Sequence, residues 1–359
     1  MKCNSDPTLL KLLAELGTGF DCASVEEMRS VLSLGVDLSR IIFANPCKAA
    51  SALVFARRMN VLKTTFDNLD ELDAIKAFLP NAQLLLRIFV DNDGAIIKLG
   101  EKFGAPLEST RALLSRAWEL GLDVVGVSFY IGSGATNPSA FRDAIQQAKI
   151  VFQQAKDIGF HMTILDVGGG FQDRNFESMA ATLKEAVRTA AFPSSSVCVI
   201  AEPGRFYART AYTLVCKVIS RRRQIGETAR KRREPDMLYQ NDGVYGNFMN
   251  VLIEKEVMSP TLVVPRSNLN QRTRTYDDGE AGVGRKRREH RYTIWGPTCD
   301  SVDCVVRETA LESEVKVGDW LKYKNMGAYT STTATRFNGL TNDHNTIHVN
   351  SEAPPLDFY

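Results

Sequence analysis

Long apolar runs are the first thing this 359-residue chain lacks. No stretch approaches the ~18–20 apolar residues that a membrane-spanning helix needs, which excludes a helical membrane role. The first twenty residues lack a basic segment followed by an apolar one, so no secretory signal is visible. A strong charge of either sign is also missing: the net charge is +2, which selects neither nucleic acid nor an acidic membrane as a partner. Cysteines number seven (Cys3, Cys22, Cys47, Cys198, Cys216, Cys299 and Cys304), an odd count, widely spread and without metal-ligand spacing. That pattern excludes a disulfide framework and points to reduced thiols in a cytoplasmic compartment, with no metal site. What remains is ordinary for a soluble globular protein, 44% apolar and 24% charged residues, and long enough for two domains.

The first part of the chain alternates short apolar runs with amphipathic segments. The runs Phe20–Ala23, Ile41–Ala44, Lys63–Phe66, Leu84–Val90, Val124–Tyr130, Thr163–Val167 and Val197–Ala201 read as strands. The segments Leu9–Leu16, Val25–Leu34, Ala49–Met59, Leu69–Phe78, Ser109–Leu120, Ser139–Lys156 and Phe176–Ala190 read as helices. Strand–helix alternation implies a parallel sheet, and its uniform repetition favours a (β/α)8 barrel. Only seven of the eight strands can be found. The missing one would come first and end near Met1–Asn4. The barrel domain is therefore expected over residues 1–211, short at its N-terminus, and a start codon placed too late is the expected reason ahead of a degenerate copy.

From Tyr212 the character changes. Thr213–Ser220, Thr261–Pro265, Thr293–Trp295, Cys304–Glu308 and Trp320–Lys324 suit an all-β domain, Greek-key or sandwich-like, over residues 212–359. Two basic stretches, Arg221–Arg233 and Arg285–Arg291, have little aromatic interleaving and read as solvated loops rather than a nucleic-acid surface.

Chemistry-bearing residues should follow the strands, because the C-terminal ends of barrel strands carry function. Asp166-Val167-Gly168-Gly169-Gly170-Phe171 follows one, and successive glycines let backbone N–H groups approach a phosphate, although such a turn can serve geometry alone. Glu202-Pro203-Gly204-Arg205 follows the next; Arg205 can bind phosphate, and Glu202 can pair with a heterocyclic nitrogen or simply face solvent. Ser133, between Gly132 and Gly134, fits a further phosphate contact. Trp295-Gly296-Pro297-Thr298-Cys299-Asp300-Ser301-Val302-Asp303 sets a thiol beside a carboxylate after a Gly-Pro turn. Its bland reading is a buried cysteine next to a helix-capping aspartate. Asn241-Asp242-Gly243 could likewise be only an Asp-Gly turn.

Together the order Lys2-Cys3-Asn4, Phe20-Asp21-Cys22-Ala23-Ser24, Gly-Gly-Gly-Phe, Glu-Pro-Gly-Arg, Asn-Asp-Gly-Val-Tyr-Gly, Trp-Gly-Pro-Thr-Cys-Asp and Gly327-Ala328-Tyr329-Thr330 resembles eukaryotic, fungal-like ornithine decarboxylases across nearly the whole chain. These are fold-type III, pyridoxal 5′-phosphate-dependent enzymes of the class II ornithine/lysine/arginine decarboxylase family. The resemblance implies that Lys2 links covalently to the cofactor and that Asp21 and Arg87 lie near that link. It implies that Gly168, Gly169, Gly170, Ser133, Gly204, Arg205 and Tyr329 serve the phosphate and Glu202 the ring nitrogen. It places Tyr130 on the cofactor face, where the family usually has histidine. It gives Cys299 the protonation of Cα, and Asp242, Asp300 and Phe337 the binding of the amino-acid substrate. The family works as a homodimer whose active sites are shared between subunits, and Ala50–Asp73 falls where its antizyme-contact helix lies. The expected reaction is L-ornithine to putrescine and CO2, for polyamine biosynthesis. Lysine as substrate, a duplicate supplying putrescine to alkaloid synthesis, and an antizyme-binding homologue without catalysis stay open on sequence.

Overall fold

The computed structural model describes residues 1–90, 102–132, 139–190, 192, 197–225, 234–263, 290–340 and 345–349. These fall into two compact units, Met1–Leu214 with Lys324–Thr332, and Val215–Tyr323 with Thr333–Tyr359.

In the first unit, seven strands lie side by side in chain order: β1 (Phe20–Cys22), β2 (Ile41–Phe43), β3 (Lys63–Phe66), β4 (Gln83–Arg87), β5 (Asp123–Ser128), β6 (Ile164–Asp166) and β7 (Cys198–Ile200). Every adjacent pair is parallel. Parallel neighbours in strict chain order follow the (β/α) barrel succession; a doubly wound sheet would reverse its order at a switch point. Residues 1–4 form no strand, so β1 and β7 are the outer strands.

The longer helices are α1 (Pro7–Glu15), α2 (Val25–Ser33), α3 (Ala50–Arg58), α4 (Leu69–Phe78), α5 (Leu107–Glu119), α6 (Ser139–Ile158) and α7 (Phe176–Thr189). Their starts follow from local chemistry. Ser24 and Asn68 accept the N–H groups of Glu27 and Glu71, and Asp6 caps α1 ahead of Pro7. In α6, Ala140, Phe141, Ala144, Ile145, Ala148, Val151 and Ala155 are buried at helical spacing, which seats that face on the sheet. Leu84, Leu85 and Leu86 of β4 are buried on both faces, as a strand covered by helices requires. No helix among the described residues is long and apolar enough to cross a membrane.

One buried ion pair ties the strand ends. Lys48 Nζ lies 2.8 Å from Glu71 Oε1, with side chains 0% and 6% exposed, and donates to the carbonyls of Asn45 and Thr65 at 2.8 Å each. Desolvation holds the lysine pKa below its ordinary value although Glu71 opposes the shift. Lys48→Met is expected to destabilise the protein by ~3–5 kcal/mol, because Glu71 would stay buried without its partner. Urea unfolding measures the loss, and Lys48→Met/Glu71→Leu should recover most of it.

The second unit is built on one six-stranded mixed sheet in the order β10-β13-β8-β9-β11-β12. Its strands are β8 (Thr213–Arg222), β9 (Asp236–Gln240), β10 (Thr261–Val263), β11 (His290–Trp295), β12 (Cys304–Leu311) and β13 (Trp320–Lys324). The strand β9 was not foreseen, and it pairs parallel with β11. The basic stretches also need correction. Arg221 and Arg222 belong to β8, and Arg221 is nearly buried, bound to Asp236 at 2.7 Å and Glu314 at 2.8 Å. It is an internal ion-pair hub rather than a loop residue. His290 and Arg291 likewise open β11. Arg223 is exposed and pairs with Glu314 at 3.3 Å, and residues 226–233 and 285–289 of these stretches lie outside the described residues.

Candidate active site

Three carboxyl groups converge at the C-terminal ends of the first unit's strands. Asp21 is in β1, Asp166 ends β6, and Glu202 follows β7. Lys2 joins them from the chain start, its Nζ 3.2 Å from Asp21 Oδ2. The Asp21 carboxylate raises the Lys2 pKa above the ordinary lysine value; desolvation opposes it, and Glu202 and Tyr329 add to it. The lysine side chain is still 54% exposed, so its amine can be reached from solvent. Asp21 Oδ1 is buried and meets no hydrogen-bond donor among the described residues.

Asp166 is fully buried. Its Oδ1 accepts the Gly168 N–H at 2.9 Å and its Oδ2 the Ser128 hydroxyl at 3.3 Å. Burial nonetheless pushes its pKa up to about 6, with the Asp21 charge adding to the shift and the hydrogen bond from Glu202 opposing it. The carboxyl of Glu202 is enclosed although the residue as a whole is not, and desolvation raises its pKa well above the carboxylate range, reinforced by Asp166 and Asp21. Lys2 and Arg87 act against that rise. Asp166 and Glu202 therefore hydrogen-bond to each other and, as a pair, hold protons more tightly than separate carboxyls would. Asp166 was not singled out from sequence; an aspartate at a strand's C-terminal end, just before the glycines, was the available signal.

The remaining calls in this unit cluster here too. Arg87 ends β4 with its guanidinium 6.0 Å from the Tyr130 ring centroid. Arg205 sits 4.8 Å from the Tyr329 ring centroid, and the Tyr329 N–H donates to the Cys3 carbonyl at 2.9 Å. Gly168 has φ +63°, and a Cβ there would come 2.3 Å from the Phe129 carbonyl oxygen. At Gly169 a Cβ would meet the Tyr130 ring at 2.9 Å, so this ring packs directly on the glycine turn. Two of the three glycines are thus demanded by close packing of the strand-end loops. Gly204 faces Cys3 in the same way, with a Cβ there 3.1 Å from that of Cys3. Ser133 lies outside the described residues.

The second unit gathers the other calls. Asp242 anchors its own turn: Oδ1 accepts the Gly243 and Asn247 N–H groups at 2.8 and 3.0 Å, and Oδ2 accepts Asn247 Nδ2 at 2.7 Å. Cys299 is exposed, unlike the buried cysteine of the bland reading, and its N–H donates to Asn338 Oδ1 at 3.1 Å. Asp300 accepts the Val302 N–H at 3.0 Å and the Tyr245 hydroxyl. Phe337 stacks on Tyr245, centroids 4.3 Å apart. Asp242, Tyr245, Thr298 and Phe337 help line an open, shallow cleft.

Sequence reasoning passed over the residue that frames this cleft. Asp303 is 1% exposed; it accepts Val244 N–H on Oδ1 at 2.8 Å, and Thr298 N–H and hydroxyl on Oδ2 at 3.0 and 2.7 Å. A Cβ at Gly243 or Gly296 would fall 2.1 or 2.2 Å from its carboxylate, so both glycines exist to admit Asp303.

A parallel strand–helix repeat whose strand ends present a lysine amine, a shared-proton carboxyl pair and arginines defines an enzyme built around an organic, anionic cofactor. The chain belongs to the pyridoxal-dependent decarboxylase family: residues 1–209 match the model described as its pyridoxal-binding domain. It is similar to the ornithine decarboxylase of Neurospora crassa, 43% identical over 98% of this chain and 75% of that one. Similarity to the ornithine decarboxylase of Saccharomyces cerevisiae is 41% identity over 98% and 75%. Among solved structures, the arginine decarboxylase of Paramecium bursaria Chlorella virus superposes with a TM-score of 0.83 at 37% identity, covering 94% of this chain and 85% of that one.

Proposed function

We propose that this chain decarboxylates L-ornithine to putrescine and CO2 with pyridoxal 5′-phosphate as cofactor, as a cytoplasmic homodimer. The observation that carries the reading is the Lys2–Asp21 and Asp166–Glu202 arrangement at the strand ends. Those residues fit the cofactor: Asp21 leaves a buried oxygen unused, Lys2 offers a reachable amine, and the Glu202 carboxyl stands ready for a ring nitrogen. When bound, the group supplies an electron sink for the Cα–carboxylate bond.

This chain's residues supply the rest. Lys2 would hold the cofactor covalently. Arg205, Tyr329, Gly204 and the Gly168–Gly170 turn would bind its phosphate, and Tyr130 would pack against its ring. Asp21 keeps the lysine charged, and Arg87 would lie near the link. The partner copy contributes Cys299 and Asp300. The exposed Cys299 thiol delivers a proton to Cα, and Asp300 with Asp242 takes the distal ammonium. Two carboxylates facing one ammonium select a diamino acid, because a neutral side chain would leave buried charge unpaired.

The test is release of CO2 from carboxyl-labelled ornithine, lysine and arginine by the purified, cofactor-loaded protein. Ornithine should give the highest kcat/KM; no release from ornithine would overturn the reading. Cys299→Ala is expected to keep releasing CO2 while putrescine formed per CO2 falls well below one, because the proton reaches the wrong carbon. A one-to-one yield would remove Cys299 from this role.

A further inference from the structure

We propose that Tyr245 is a positioning residue for substrate recognition, its hydroxyl aiming the Asp300 carboxylate at the distal ammonium of the substrate. The inference rests on the decarboxylase reading above and names what sets the direction of one of its two anionic contacts.

Both oxygens of Asp300 are held from outside the side chain. Oδ1 accepts the Val302 N–H at 3.0 Å and Oδ2 accepts the Tyr245 hydroxyl. An aspartate gripped at one oxygen still swings about its last torsion; one gripped at both does not. The choice of donor matters as much as the grip. Lysine or arginine at position 245 would also fix Asp300, but it would cancel the charge that the substrate ammonium must meet. A phenol fixes the carboxylate and leaves it anionic; the same hydrogen bond lowers the Asp300 pKa.

Tyr245 is itself held too firmly to be a passive neighbour. Its ring stacks on Phe337 with planes 25° apart. Its carbonyl accepts the Thr335 N–H at 2.8 Å and the Thr335 hydroxyl at 3.1 Å. The preceding residue is pinned by Asp303 through the Val244 N–H. One side chain therefore connects the Asn241–Gly246 turn, the Cys299–Asp300 loop and the Phe337 segment, and it does so on the wall of the cleft.

Tyr245→Phe keeps the ring and its stack and removes only the hydroxyl. Loaded Tyr245→Phe enzyme is expected to show a KM for ornithine raised on the order of tenfold with kcat close to wild type. Putrescine binding, read by calorimetry, should weaken in parallel. Asp300→Asn in the Tyr245→Phe background should cost little more than Asp300→Asn alone, because both changes act through one carboxylate. Wild-type KM and putrescine affinity in Tyr245→Phe, or additive losses in the double variant, overturn the inference while an active wild type leaves the ornithine reading intact. If the wild type accepts only lysine or arginine, the same ratios on that substrate and its diamine product decide the role of Tyr245, and the ornithine assignment alone falls. A wild type that decarboxylates none of the three overturns both.

Discussion

Lys2→Ala is expected to lower kcat by at least about a thousandfold and to abolish the covalent label that borohydride fixes on the cofactor-loaded protein. The geometry gives the reason. Lys2 Nζ is the amine of the carboxyl cluster, 3.2 Å from Asp21 and half exposed, so a small aldehyde can reach it. The neighbouring carboxyl groups keep this amine protonated beyond the ordinary lysine range. A protonated amine is no nucleophile, so loading requires the proton to leave, and Asp21 is the acceptor in contact. The sign follows: the rate of cofactor loading should rise as pH rises toward the lysine range. Lys2→Arg separates charge from chemistry. It keeps a cation against Asp21 but offers no amine that can form the link, so it should fold like wild type and stay unlabelled. Peptide mapping of the label decides the matter; a label retained in Lys2→Ala, or found on another lysine, would end the assignment.

Much of this site could be read from the chain because parallel strands buried on both faces are continuous apolar runs. Leu84–Leu86 and the other six runs stand out between amphipathic helices, and their ends locate Asp21, Arg87 and Glu202 without any tertiary knowledge. What stayed hidden depends on partners far away in sequence. Arg221 looks like the start of a solvated basic loop until Glu314, ninety-three residues on, closes over it. The strand β9 was missed because it opens with Asp236, whose partner is that same arginine. Asp303 looked like the tail of a cysteine motif, yet its carboxylate is enclosed by two glycines from separate loops. Tyr245 drew no reading of its own from the sequence, and only folding brings it against Asp300. Local patterning encodes where strands end; burial of charge is decided by what returns to those ends.

Glu202→Gln should show activity and stability moving in opposite directions. Activity should fall, on the order of a hundredfold in kcat/KM, because the group proposed to meet the cofactor ring nitrogen could no longer carry charge. Stability of the cofactor-free protein should change with pH in a defined sense. The Asp166–Glu202 pair holds protons more tightly folded than unfolded, with Asp166 pushed up to about 6. A carboxyl pair raised in this way stabilises the fold fully below the ordinary carboxylate range near pH 4, and that contribution is lost as pH rises through 6. For the wild-type protein the loss is on the order of 3 kcal/mol, shared by the pair rather than owned by either residue. Glutamine removes one ionisation, so the Glu202→Gln protein should lose less stability between pH 4 and 8 and melt higher than wild type at pH 8. Melting curves of both proteins across that range provide the measurement. Parallel curves would mean that Glu202 binds its proton no more tightly in the folded than in the unfolded chain, which would overturn the raised pair. A flatter curve together with lost activity would mean that the fold keeps a destabilising pair at its centre because the chemistry needs an ionisable carboxyl there.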